Sequence, residues 1–148
     1  MQYWWVNQNK TWQYEISGGY LWSPKCNRNG AYNQFYTNMQ LVEEGDMVFS
    51  FFSQHIQAVG RVIARAIPQE RPAEFGQIGE VWTQNGWYVT LKFEKISIPF
   101  RPKDIITELR PFLPVKYSPL TKEGNGLQGV YLAEISDAMA QILMKYTR

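Results

Sequence analysis

A chain of 148 residues with 45% hydrophobic and 19% charged side chains is long enough and apolar enough to fold around a core, which excludes a disordered tail. Its single cysteine and single histidine exclude an internal disulfide, thiolate metal clusters and histidine-rich metal sites, and a net charge of +2 gives no strong pull toward nucleic acid. The outlying quantity is an aromatic content of 16%, with six Trp and nine Tyr, ring types that are overused at binding surfaces.

The sequence reads as one α+β domain spanning residues 1–148. It opens with "YWWVNQ" (3–8), a short β-prone run ending in polar residues. Strand alternation puts Trp5 and Asn7 on one face and Trp4 and Val6 on the other, so one of the two tryptophans is expected in the core and the other nearer a site. The stretch "ISGGYLWSPKCNRNGAYN" is rich in turn formers and reads as loop, with Tyr20-Leu21-Trp22 briefly extended. "MQLVEEGD" (39–46) reads as a helical or turn lead-in ending at Gly45, its carboxylates facing solvent. Two strands follow, at 47–53 and 56–66, joined tightly around Ser53-Gln54-His55. "RPAEFGQIGEVWTQNG" reads as loop, and "GWYVTLKFEKISIPF" is the strongest strand in the chain. Pro102 suits the first turn of a short helix ended by Pro111. A long loop precedes "YLAEISDAMAQILMKY", where Ile135, Met139, Ile142, Leu143 and Tyr146 fall at helical spacing. Short strand connections favour antiparallel pairing.

Groups with catalytic chemistry are scarce. His55 reads as a turn residue and Cys26 as an ordinary loop cysteine, so the chain is expected to be a binder and not an enzyme, with no catalytic or metal-binding residues and no cofactor. Gly124-Asn125-Gly126 lacks the context of a phosphate loop; it reads as a turn, or as a loop that approaches a backbone closely. No apolar run approaches the ~20 residues of a membrane span, and no signal peptide is visible, so a cytoplasmic location without membrane contact is expected. Residues 1–42 carry Lys10, Lys25 and Arg28 against Glu15, and residues 101–122 carry Arg101, Lys103, Arg110, Lys116 and Lys122 against Asp104 and Glu108. Two such mildly basic segments either share a face or are solvated separately.

What remains is a region of rings and amides. Trp22, between Gly18-Gly19 and Ser23-Pro24, and Trp82, within "GEVWTQNG", each either cap the core or form the wall of a pocket. Facing rings would hold a planar ligand, at roughly 1–3 kcal/mol per stacked base. Identity would then be read by edge-facing groups, for which Asn7, Gln8, Asn9, Ser23, Ser53 and Gln54 are candidates.

The order "YWWVNQ", "GGYLWSP", "VEEGDMVFSFF", "AVGRVIARA", "GWYVTLKFEKISIPF" resembles an EVE domain, a member of the PUA superfamily related to YTH domains. "RPAEFG" and "KYSPLTKEGNGLQGVYLAEI" are similar to the EVE-like domain that precedes an HNH nuclease in bacterial modification-dependent restriction endonucleases. The resemblance implies a half-open, curved antiparallel β-barrel flanked by helices, with a pocket for a nucleobase. It implies that Asn7, Gln8 and Asn9 contact the base, that Trp22 and Ser23 form part of an aromatic cage, that Phe52, Ser53 and Gln54 line the pocket, and that Trp82 supplies the second ring. The implied ligand is 5-methylcytosine or 5-hydroxymethylcytosine flipped out of double-stranded DNA, with methylated RNA as the alternative. Lys10, Lys25, Arg28, Lys116 and Lys122 would hold phosphates. The implied partner within a longer protein is a C-terminal nuclease domain. A single histidine cannot provide an HNH site, so this chain is expected to bind without cutting.

Overall fold

The computed structural model describes residues 1–76, 85–127 and 129–147. Six strands form a single curled sheet in the order β2-β5-β4-β3-β1-β6. They are β1 (Tyr3–Asn7), β2 (Tyr20–Pro24), β3 (Met47–Phe52), β4 (His55–Glu70), β5 (Asn85–Phe100) and β6 (Leu132–Ile135). Four α-helices accompany them among the described residues: α1 (Trp12–Gly18), α2 (Gln34–Thr37), α3 (Ile106–Leu109) and α4 (Asp137–Met144). The result is the expected half-open β-barrel with helices packed on it.

The pairing is antiparallel except between β1 and β3, which run parallel with Trp5 opposite Phe49 and Asn7 opposite Phe51. The rule of short connections does not reach this pair. The chain leaves β1 through α1, β2 and α2 before entering β3, a path long enough for a crossover.

Both faces of β1 are covered, which explains its continuous apolar run. Trp4 and Val6 point into the barrel with Leu21, Val48, Val62, Val89, Leu91 and Leu132. Trp5 faces outward with Phe49, Phe51, Ile56, Leu109, Leu120 and the inner side of α4. Both tryptophans are therefore core residues, at 1% and 0% exposure, and the expected division of labour between them fails. Asp46, expected at the surface, is buried: its carboxylate accepts hydrogen bonds from the Trp4 indole N–H (3.0 Å) and from the backbone N–H groups of Gln2 (3.0 Å) and Glu43 (2.9 Å).

Two segments differ from their sequence reading. The C-terminal stretch is not one helix. Leu132, Ala133 and Ile135 belong to β6, paired with β1, and only after Ser136 does α4 begin, with the Ser136 hydroxyl accepting from Met139 N–H at 3.1 Å. The other is α1, seven residues in a stretch that carries no strong helical pattern. It carries the chain from β1 to β2, and Gly19 in the left-handed conformation (φ 70°) ends it.

Candidate functional site

A cavity of about 490 Å³ opens where β1 ends, between the β3–β4 turn, Arg101 and Lys103, and residues 124–127 with Gly129 and Val130. Asn7, Gln8, Asn9, Ser53 and Gln54 line it, five of the residues expected there. Asn7 and Phe51 lie opposite each other at the ends of adjacent strands, and Gln8 N–H donates to the Phe51 carbonyl at 2.9 Å. This bond carries the chain end of β1 onto the turn.

The turn is a tight one made without glycine. Ser53 (φ 52°) and Gln54 (φ 65°) are both left-handed, the backbone demanded by a two-residue hairpin loop, at a cost of about 1–3 kcal/mol for each such residue. Strain of this kind persists where the surrounding structure enforces it, and it clusters at functional sites. His55, read as a turn residue, stands just past the turn as the first residue of β4, its Nδ1 within 2.8 Å of the Ser53 carbonyl.

The side chains at and just past the end of β1 are held in fixed orientations. The Trp5 indole N–H donates to Asn7 Oδ1 at 2.6 Å, and Asn7 Nδ2 reaches the Pro119 carbonyl at 3.4 Å. So Trp5, though buried, orients a residue of the cavity. Gln8 is tied from both ends: its Nε2 donates to Glu15 at 3.1 Å and its Oε1 accepts from the Ser50 hydroxyl.

The remaining wall escaped the sequence reading. Arg101 and Lys103 are its cations. Among the described residues Arg101 Nε is buried without a hydrogen-bond partner, while Lys103 Nζ donates to Asn125 Oδ1 at 3.1 Å. Gly124 lies against Lys103 with φ 91°; a Cβ there would sit 2.8 Å from Lys103 Cα. The glycine-rich stretch is thus the loop that approaches a backbone closely.

Other expected residues stand elsewhere. Phe52 is not on the cavity; its ring stacks on Trp12 at 4.7 Å, and Phe51, which shares the face of Phe49 by plain strand alternation, is on the wall instead. Trp22 and Ser23 are also off it. They belong to β2, the edge strand on the far side of the sheet, paired with β5. Trp22 is 3% exposed, packs edge-on to Phe75 at 5.9 Å, and gives its indole N–H to the Gln69 carbonyl at 3.0 Å. Gly86 makes room for it, since a Cβ there would lie 2.3 Å from the indole. Trp82 lies outside the described residues. Of the cations expected on phosphates, Lys25 sits over the Trp87 ring (4.5 Å) and Lys116 over Tyr117 (5.2 Å). Lys10, Arg28 and Lys122 are exposed, none of them lining the cavity.

Trp22 nonetheless connects to the cavity through a buried carboxylate. Glu15, on α1, is fully buried. It accepts from Gln8 Nε2 and the Thr11 hydroxyl on one oxygen, and from Trp22 N–H (2.8 Å) and the Tyr131 hydroxyl on the other. Burial pushes its pKa up to about 7, against the lowering effect of those four donors. The folded state therefore holds this proton more tightly than the unfolded chain, whose carboxyl titrates near 4.5. The associated stability is full below that value and is lost as pH rises through 7, a loss on the order of 3 kcal/mol. Denaturant midpoints should fall between pH 5 and pH 8, and Glu15→Gln should flatten that decline.

No family model and no curated protein matches this sequence. Solved structures do. A Rhodopseudomonas palustris protein solved by NMR superposes with a TM-score of 0.61 at 16% identity, over 99% of this chain and 93% of its own. ASCH from Zymomonas mobilis gives 0.58 at 10% identity, over 99% and 96%. The CPSF4-YTH domain of Toxoplasma gives 0.61 at 13% identity, over 99% and 85%. Identities this low speak to the fold alone, and on the fold the curled six-stranded sheet has the PUA-like architecture of ASCH and YTH domains.

Proposed function

We propose that this chain reads a modified nucleobase, with 5-methylcytosine or 5-hydroxymethylcytosine in double-stranded DNA as its ligand. In this reading it is an EVE-type domain serving as the specificity part of a modification-dependent restriction endonuclease, and it binds without cutting. The observation that carries the reading is the cavity itself: amide and hydroxyl side chains on fixed backbone, beside two cations. A base inside a duplex presents neither its Watson–Crick edge nor its faces, so it must be flipped out at a cost of a few kcal/mol. Asn7, Gln8, Asn9, Ser53 and Gln54 offer donors and acceptors to the edge of such a base. Arg101 and Lys103 offer charge to the phosphates flanking it. Trp22 supports the site from beneath, through its backbone N–H to Glu15, in place of the stacking role expected of it.

The test is a competition among matched duplexes carrying cytosine, 5-methylcytosine or 5-hydroxymethylcytosine, with a methyladenine RNA as fourth competitor. Modified duplexes should bind more tightly by about tenfold, since a methyl group adds roughly 1–3 kcal/mol in a fitted pocket. Equal binding of modified and unmodified duplexes contradicts the proposal, and preference for the RNA transfers it to single strands.

A further inference from the structure

Gln8 has its two ends in different company. Its Nε2 faces Glu15, its Oε1 faces the Ser50 hydroxyl, and it lines the cavity. An ionised carboxylate only accepts, so it fixes which end of the amide is nitrogen. The other oxygen of Glu15 is committed to Trp22 N–H, a backbone donor that cannot reverse, and to the Tyr131 hydroxyl. Each of the two Gln8 bonds takes up one hydrogen or lone pair, leaving the amide one N–H and one lone pair for a ligand.

We propose that Glu15 is a positioning residue that sets the direction of the Gln8 amide, and through it the base edge that the cavity accepts. This rests on the base-reading function proposed above. A side chain offering N–H and C=O side by side matches an edge with a ring-nitrogen acceptor next to an amino donor. Cytosine and its 5-modified forms have that edge. Thymine, which differs from 5-methylcytosine only there, has an N–H beside a carbonyl and is refused. No contact between Glu15 and the base is required.

Replacing Glu15 by glutamine makes the reversal explicit. The new side chain must give its oxygen to Trp22 N–H, which places its NH₂ toward Gln8 and Thr11. Gln8 then turns its oxygen toward residue 15 and its NH₂ toward Ser50, whose hydroxyl accepts as readily as it donates. The pattern shown to the ligand is inverted without loss of volume.

The experiment measures, at pH 8 where Glu15 is ionised, the affinity ratio for two duplexes, with 5-methylcytosine or thymine at one position opposite an abasic site, so that both share the unpairing cost. The wild-type chain should prefer 5-methylcytosine by at least roughly tenfold, the scale of one bidentate contact. In Glu15→Gln the preference should vanish or invert, while a thermal melt shows the fold intact. An unchanged ratio in the folded variant overturns the inference and leaves the base-reading function standing. A wild-type chain that prefers modified to unmodified cytosine yet binds thymine equally well also overturns it. A wild-type chain indifferent to cytosine modification overturns the proposed function and the inference together.

The wild-type protein supplies a second test should the variant fail to fold. The titratable groups around Glu15 are Tyr131 and, further off on β2, Tyr20, both phenols raised above their usual range by burial. Glu15, with its raised pKa of about 7, is the group that gains a donor between pH 8 and pH 6. The preference for 5-methylcytosine over thymine should therefore shrink several-fold over that interval. A ratio that stays constant contradicts the inference.

Discussion

Trp22→Ala is expected to destabilise the fold by about 3–5 kcal/mol, the range for removing a buried Trp or Phe from a core. The indole fills the space that Gly86 leaves, packs on Phe75 and satisfies the Gln69 carbonyl. None of this is replaced by a methyl group. A denaturant melt of the variant should show a markedly lowered midpoint, with loss of all binding following the loss of fold. A variant with wild-type stability and a selective loss of preference for modified DNA would restore Trp22 as a base-stacking ring.

Replacing both Arg101 and Lys103 by alanine is expected to weaken binding to every duplex, modified or not, by roughly 10–100-fold at moderate salt. The slope of log K against log salt should fall by about 0.9 for each phosphate no longer neutralised, or about 1.8 for two. The preference among bases should persist, because phosphate contacts position the duplex and carry no base information. The folded state should tolerate the change. Among the described residues, the exposed Lys103 bonds through its ammonium to Asn125, and Arg101 Nε has no partner to lose. A uniform loss on Lys25→Ala combined with none here would shift the phosphate track to the far edge of the sheet.

The two expectations divide along what a sequence carries. Strand alternation is local, and it places Asn7 and Gln8 at the end of β1 and Ser53-Gln54 in the turn, where they are found. The PUA-like barrel is legible for the same reason: its long strands are β-branched and aromatic, and its turns are marked by glycine, proline and polar residues. Trp22 misleads because flanking glycines and a Ser-Pro pair look like a loop. In the structure those glycines end α1, and Gly86 of a different strand admits the ring. The residue that covers a side chain belongs to another part of the chain, and composition around Trp22 does not reveal it.

Glu15 escapes notice for a related reason. One acid among tryptophans and amides reads as a solvated charge, since burial of a carboxylate is favourable only with several donors aimed at it. Its donors come from residues 8, 11, 22 and 131, and no window contains them all. Arg101 and Lys103 follow the same pattern. They sit in a basic segment that is visible, but their place beside Asn7 depends on the return of the chain along β5. The split of the last segment into β6 and α4 shows the limit of periodicity: Ile135 lies at helical spacing from Met139, yet its partner is Tyr3 across a ladder.

The central claim is that a base is read in the cavity at the end of β1. A ¹⁵N-labelled chain titrated with a duplex bearing one 5-methylcytosine tests it most directly. Amide shifts should concentrate on Asn7, Gln8, Asn9, Ser53, Gln54 and the loop around Gly124, with side-chain amide signals of Asn7 and Gln8 among the largest. Shifts that cluster instead around Tyr20, Trp22 and Phe75, leaving the end of β1 unmoved, would contradict it.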